Sequence, residues 1–260
     1  MKEFKAQTHK LDDHVVADAI KAINLVKEEG KVEGHIGGGM AVGAYLPSDE
    51  QRPTIDLDFA LLWGGTTEQF RQLVQPMVSE LQAEGYDISI QKGDKTYDVA
   101  VASRVADESL LVQHQRRNRG NLERNRKSLE REVANQRIIS RQGLSFAVMS
   151  PEDLMLHKLS RLFTFSEAYG LEIPRRESAV NMMKLIQFFQ EELFKPGKEL
   201  SAEDAARMRV HYDAYDIKHL AMHAGLNKGY FAEALKDWNT RYMNDEKARK
   251  LLSEMEIPLK

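Results

Sequence analysis

The 260-residue chain contains no cysteine. Disulfides and thiolate zinc sites are therefore excluded, and the composition fits a reducing cytoplasm. Long apolar runs are missing too. None approaches the length of a membrane span, and Met1 to Lys10 lacks the apolar region of a secretory signal. A cytoplasmic chain with no membrane partner is expected. There is also little net charge: the formal value of −3 argues against indiscriminate nucleic-acid binding by the whole surface.

Of the residues present, 42% are hydrophobic, enough for one large domain or two modest ones. Charge is unevenly spread. Between Gln115 and Arg141, nine basic residues (Arg116, Arg117, Arg119, Arg124, Arg126, Lys127, Arg131, Arg137, Arg141) accompany three acidic ones (Glu123, Glu130, Glu132). That segment carries +6 and the remainder −9. It lacks an apolar stripe before Leu129, so it reads either as a solvated, partly helical insertion or as an RNA-facing surface. No aromatic residue interleaves the arginines, so base stacking is not indicated.

The organising stretch is Ile36 to Leu62, I-G-G-G-M-A-V-G-A-Y-L-P-S-D-E-Q-R-P-T-I-D-L-D-F-A-L-L. Strand side chains alternate between faces, so Asp56 and Asp58 share one face while Ile55, Leu57 and Phe59 turn to the core. Two such carboxylates repel each other, and an oxygen-seeking divalent cation such as Mg²⁺ relieves the repulsion. Gly37, Gly38 and Gly39 precede a short helix, Met40 to Leu46. Glycines at a helix N-terminus let backbone N–H groups approach an anion such as a triphosphate. A phosphate cradle with a carboxylate pair is the minimum apparatus for metal-assisted nucleotidyl transfer. Read singly, a D-x-D is also a common surface feature, and a glycine cluster is also a common turn.

Around these motifs the chain reads in order as follows. Leu11 to Glu29 is a helix with an apolar stripe, capped by Asp12 or Asp13 and stopped by Gly30. A second helix opens at Thr66-Thr67-Glu68-Gln69 with a capping-box spacing and runs to Glu84. Tyr86–Gln91 and Thr96–Ser103 form a hairpin around Gly93, with Asp94 as a turn residue. Asp98, in the second strand, is either a third metal-binding carboxylate or an edge-strand aspartate. Arg137–Arg141 and Leu144–Met149 pair around Gln142-Gly143. Ser150-Pro151-Glu152-Asp153 starts a helix with Ser as N-cap and Pro at the first helical position. Within it Lys158 is a lone cation among apolar residues, which taken alone reads as a snorkelling lysine. Arg161 shares its face. After Gly170 the chain is almost wholly helical: Glu177 to Phe194, then a helix capped by Ser201 and Asp204 that runs to about Ala224, then two shorter ones. On the capped helix Asp213 and Asp216 share a face, and Arg209 is placed to pair with Asp213. His219 and His223 stand at i, i+4, the spacing of two zinc ligands, with His211 and Asp216 near. The metalloprotease form needs a Glu beside the first His. Lys218 and Leu220 stand there instead, so these are read as ordinary helix histidines.

The glycine pair followed by paired aspartates resembles the signature of the nucleotidyltransferase superfamily. More narrowly, R-P-T-I-D-L-D (Arg52 to Asp58) is similar to the motif of the abortive-infection AbiEii/AbiGii-type nucleotidyltransferase toxins. S-P-E-D-L-M-L-H-K-L and Asp213-Ala214-Tyr215-Asp216-Ile217 resemble that family's second and third signatures, in the right order. Met40 departs from the family, which has Ser or Thr there, at the cost of one hydroxyl contact to phosphate. The resemblance implies an α/β domain over residues 1–150, on a small mixed sheet with flanking helices. A helical domain over 151–260 would complete the cleft. It implies an NTP substrate and one or two Mg²⁺ ions held by Asp56 and Asp58, with Asp98 as the candidate third carboxylate. Gly38, Gly39, Arg52 and Lys158 would hold the nucleotide, with Lys158 and Asp213 serving catalysis beside the aspartate pair. It further implies a toxin of a toxin–antitoxin or phage-defence system. A cognate antitoxin is then a partner, and an RNA such as tRNA, reached through Arg116 to Arg131, is the acceptor. The same metal site would also suit an aminoglycoside-type transferase, or survive in a non-catalytic binding protein on a degenerate fold.

Overall fold

A computed structural model of the chain describes residues 13–52, 54, 56–62, 67–92, 96–102, 109–115, 122–141, 143–175, 180–181, 183–186, 188, 201–238 and 243–257. It separates into two compact units. The first comprises Met1–Ala44 with Pro53–Ser150, and the second Tyr45–Arg52 with Pro151–Lys260.

The first unit is mixed α/β. Its strands are β1 (Gly34–Ile36), β2 (Asp56–Leu61), β3 (Asp87–Lys92), β4 (Thr96–Ala102), β5 (Ser109–Gln115), β6 (Arg137–Arg141) and β7 (Leu144–Val148). They form one seven-stranded sheet in the order β3-β4-β5-β2-β1-β7-β6. The pairs β1–β7 and β2–β5 are parallel, and the others antiparallel. The hairpin partners expected on either side of residues 93–95 and around Gly143 are thus present. β5 was not expected: S-L-L-V-Q-H-Q does not alternate and runs straight into the basic stretch, yet it lies between β4 and β2.

The helices of this unit are α1 (Asp13–Gly30), α2 (Gly38–Tyr45), α3 (Thr67–Ala83) and α4 (Leu122–Ala134). α1 packs on α3. Ala19, Ile20, Ile23 and Val26 of α1 are buried, as are Phe70, Val74, Met77 and Leu81 of α3. Leu57, Phe59 and Leu61 of β2 are buried in alternation with half-buried Asp58 and Ala60, the period-two pattern of a strand with one apolar face. On α4, Glu132 is buried beside His35 of β1 at 3.7 Å, while Lys127 is exposed. Arg116, Arg117 and Arg119 lie outside the described residues, as do the side chains of Arg124 and Arg126.

The second unit is helical: α5 (Pro151–Tyr169), α6 (Ala202–His223), α7 (Lys228–Asp237) and α8 (Asp245–Glu254), joined by a short 3₁₀ turn, Ser48–Glu50. Ser201 caps α6 through the Asp204 N–H, and Asn227 and Asn244 cap α7 and α8 in the same way. α5 and α6 make the main packing pair. The acids that open α5 are not solvated. Glu152 accepts a bond from the Asn227 N–H, and Asp153 one from the Tyr230 hydroxyl at 2.7 Å, tying α5 to the start of α7. Most of the helix expected over 177–194 lies outside the described residues. No described helix is long and apolar enough to cross a membrane.

Candidate functional site

In the first unit, β1 delivers the glycine loop to β2. Ile36 pairs with Phe59, and the next N–H, of Gly37, donates to the Asp58 carbonyl at 2.8 Å. Gly38 then takes a left-handed backbone, φ +62°, and opens α2. A Cβ there would lie 1.8 Å from Asp58 Oδ2, far inside van der Waals contact. Glycine is thus required twice over, by the sign of φ and by the carboxylate pressed against its backbone. Two halves of the sequence motif, separated in sequence by the segment that carries the 3₁₀ turn, meet at this point. Gly39 lies in the first turn of α2, where N–H groups and the helix dipole favour an anion.

Asp56 is two residues before Asp58 on β2, and its side chain lies outside the described set. Register places Asp58 opposite Gln113 of β5, and Gln113 opposite Asp98 of β4. Asp58 and Asp98 therefore stand in one cross-strand row, with the side chain of Asp98 also outside the described set.

In the second unit, the residues of the second and third signatures meet Arg52. Arg52 Nε and Nη2 each donate to the Asp216 carboxylate at 2.8 Å, a two-pronged pair. The guanidinium also lies 4.6 Å over the Tyr212 ring. Lys158 is buried, 3% exposed, with Nζ at 2.6 Å from Asp216 and 3.3 Å from Asp213. Arg161 grips Asp213 through Nε at 2.6 Å and through Nη2. Three cations thus hold two fully buried carboxylates, and Arg161, 40% exposed, brings the surplus positive charge to the surface. The lone lysine of α5 is not snorkelling. Nor does Arg209 pair with Asp213, as helix spacing suggested; it lies over the Phe165 ring at 5.2 Å.

Burial alone would raise the pKa of Asp216, but Arg52 and Lys158 outweigh it and hold the carboxyl at about 2. Burial likewise opposes the charge on Arg52, and Asp216 more than offsets that, so its pKa is pushed up. Tyr215 is raised to about 12, first by burial and then by Glu50 and Asp216, and its hydroxyl donates to the Glu50 carbonyl at 2.8 Å. His219 is lowered, chiefly by burial, although Glu50 works the other way. Glu50 is the residue the sequence did not single out. Nothing local marks it, because its partners lie on α6, 169 residues away in the case of His219.

No protein-family model matches the chain, and no curated protein matches it. Among solved structures, an antigenic nucleotidyltransferase-like protein from Paracoccidioides brasiliensis is similar over 96% of this chain and 95% of its own, at 13% identity and a TM-score of 0.48. The antibiotic-resistance factor ANT(2'')-Ia is similar over 80% of this chain and 90% of its own, at 14% identity and a TM-score of 0.34. A cytoplasmic RNA terminal U-transferase is similar over 69% of this chain and 49% of its own, at 13% identity and a TM-score of 0.28. These likenesses are loose, and the chain's own residues carry the functional reading.

Proposed function

We propose that the chain is a metal-dependent nucleotidyltransferase, moving a nucleoside monophosphate from an NTP to an acceptor hydroxyl and releasing pyrophosphate. The observation that carries this reading is the seat of Gly38 against the Asp58 carboxylate at the start of α2. It supports a single locus where backbone donors for phosphate adjoin a carboxylate for a cation. The donor set fits Mg²⁺, since Asp56, Asp58 and Asp98 offer only oxygen. When bound, the ion would offset charge on the phosphates and on the departing pyrophosphate.

In this reading Gly38 and Gly39 hold the β- and γ-phosphates through backbone N–H groups. The acceptor oxygen forms its bond to the α-phosphorus as the bond from that phosphorus to pyrophosphate breaks. The hydroxyl proton passes to a carboxylate of β2. Lys158 and Arg52 towards phosphate, and Asp213 as a catalytic carboxylate, belong to the proposal through their places in the sequence signatures. Contact with phosphate would require Lys158 to exchange one of its two carboxylate partners for the ligand. The +6 segment supports an RNA acceptor, tRNA among the candidates, over a cationic small molecule. The same family reading makes the chain a toxin with a cognate antitoxin.

Incubating the protein with each α-labelled NTP, an RNA pool and Mg²⁺ tests the proposal. Labelled RNA and released pyrophosphate are expected. Hydrolysis to free monophosphate, or no product with any NTP, would contradict it.

A further inference from the structure

The two histidines of α6 have a third partner that their spacing alone does not reveal. His219 and His223 are one helical turn apart, with ring centroids 5.8 Å apart and planes at 21°. The 3₁₀ turn Ser48–Glu50 brings a carboxylate to them. Glu50 Oε2 is 2.7 Å from His219 Nδ1 and 2.8 Å from His223 Nε2. Two imidazole nitrogens thus converge on one oxygen, and the three candidate ligand atoms lie within 4.8 Å of one another.

We infer that Glu50, His219 and His223 form a binding site for a borderline transition-metal cation of the Zn²⁺ class, separate from the carboxylates of β2. The donor set decides the class. Two imidazoles and one carboxylate suit Zn²⁺, Co²⁺ or Ni²⁺, whereas Mg²⁺ and Ca²⁺ prefer oxygen throughout. Bonds of about 2.0–2.2 Å to a tetrahedral ion set neighbouring ligands roughly 3.3–3.5 Å apart. Opening the present separations by about half an ångström, within reach of a glutamate rotamer, makes room for the ion. The site is graded in exposure. His219 is buried at 3%, while Glu50 and His223 are 32% and 30% exposed. That leaves a path for the ion and a place for water as fourth ligand.

The ion would fasten the 45–52 segment to α6. That segment already makes two other ties to the same helix: the Tyr215 hydroxyl to the Glu50 carbonyl, and Arg52 to Asp216. In sequence, Pro53 to Ile55 separate Arg52 from β2, which starts at Asp56. The inference is independent of the transfer reaction, because it concerns binding and stability rather than turnover.

The test uses the full chain, stripped with a chelator. Zn²⁺ binding is followed by calorimetry, and Co²⁺ binding by the visible bands of a four-coordinate ion. Wild type is expected to bind one equivalent, with a rise in melting temperature that excess Mg²⁺ does not reproduce. Glu50→Gln, which keeps a hydrogen-bonding carbonyl, and His223→Ala, at a partly exposed position, are each expected to weaken Zn²⁺ binding more than tenfold. Circular dichroism checks that both are folded; should His223→Ala fail to fold, His223→Gln replaces it. The chain has eight histidines, so adventitious binding is a real alternative. Equal Zn²⁺ affinity in wild type and both variants, or no binding by wild type, would overturn the inference.

Discussion

Arg52 and Asp216, 164 residues apart in the chain, meet through two bonds of 2.8 Å. Both side chains are buried, at 8% and 0% exposure. Removing Arg52 takes two charge-assisted bonds from a fully buried carboxylate and leaves it only Lys158. Arg52→Ala is expected to destabilise the fold by about 3–5 kcal/mol. Arg52→Lys should recover only a small part of this, because a point charge cannot make the fork. Chemical denaturation of the three proteins measures it. A cost below about 0.5 kcal/mol for Arg52→Ala, the level of an exposed pair, would contradict the network's structural weight.

The same carboxylate sets a pH dependence. Asp216 is held at about 2 against an ordinary 3.8. Its folded pKa is depressed, so the unfolded chain binds the proton more readily between those values. The stabilisation, roughly 2 kcal/mol, is complete above pH 4 and is lost as pH falls towards 2. The stability gap between wild type and Asp216→Asn should therefore narrow from pH 6 to pH 3. A constant gap over that range would show that the ionised form is not what stabilises.

Two glycines with positive φ separate strain from fit. Gly38 (φ +62°) meets Asp58, whereas Gly143 (φ +78°) has nothing within 4 Å of a built Cβ. Either substitution to Ala carries about 1–3 kcal/mol of backbone strain. Only Gly38→Ala should also abolish nucleotidyl transfer, by displacing the Asp58 carboxylate. Activity retained in Gly38→Ala, with Gly143→Ala as the folding control, would remove the glycine loop from the site.

If Arg116 to Arg131 faces an RNA acceptor, binding should weaken steeply with salt as condensed counterions are released. Changing Arg116, Arg117 and Arg119 to Ser should lower the log–log slope by roughly 2–3. Filter binding across a salt series decides. Parallel lines for wild type and variant would retire the RNA surface and leave a solvated insertion.

Local pattern made much of this chain readable. The Ser150-Pro151 helix start, the β3–β4 and β6–β7 pairs, and the alternation of Leu57 and Phe59 all follow from periods and caps that span a few residues. β5 escaped because its register is imposed by its two neighbours rather than by its own pattern. The fate of Lys158 escaped for a related reason. A lysine in an apolar stripe is explained by carboxylates on another helix, 55 and 58 positions away. Glu50 is the extreme case: in P-S-D-E-Q it reads as a surface turn, and only the packing of that turn beside α6 gives it partners. Patterns within one strand or one helix were legible, whereas the partners of Lys158 and Glu50, which lie on another helix, were not.

Nucleotidyl transfer is the central claim, and Asp58→Asn tests it most directly. The amide nearly matches the carboxylate in size and shape, so the fold should be retained while the charge that would hold a cation is lost. With α-labelled NTP, RNA and Mg²⁺, wild type should transfer label, and Asp58→Asn should fall by at least about 10²-fold with an unchanged circular dichroism spectrum. Equal labelling by the two folded proteins would contradict the account.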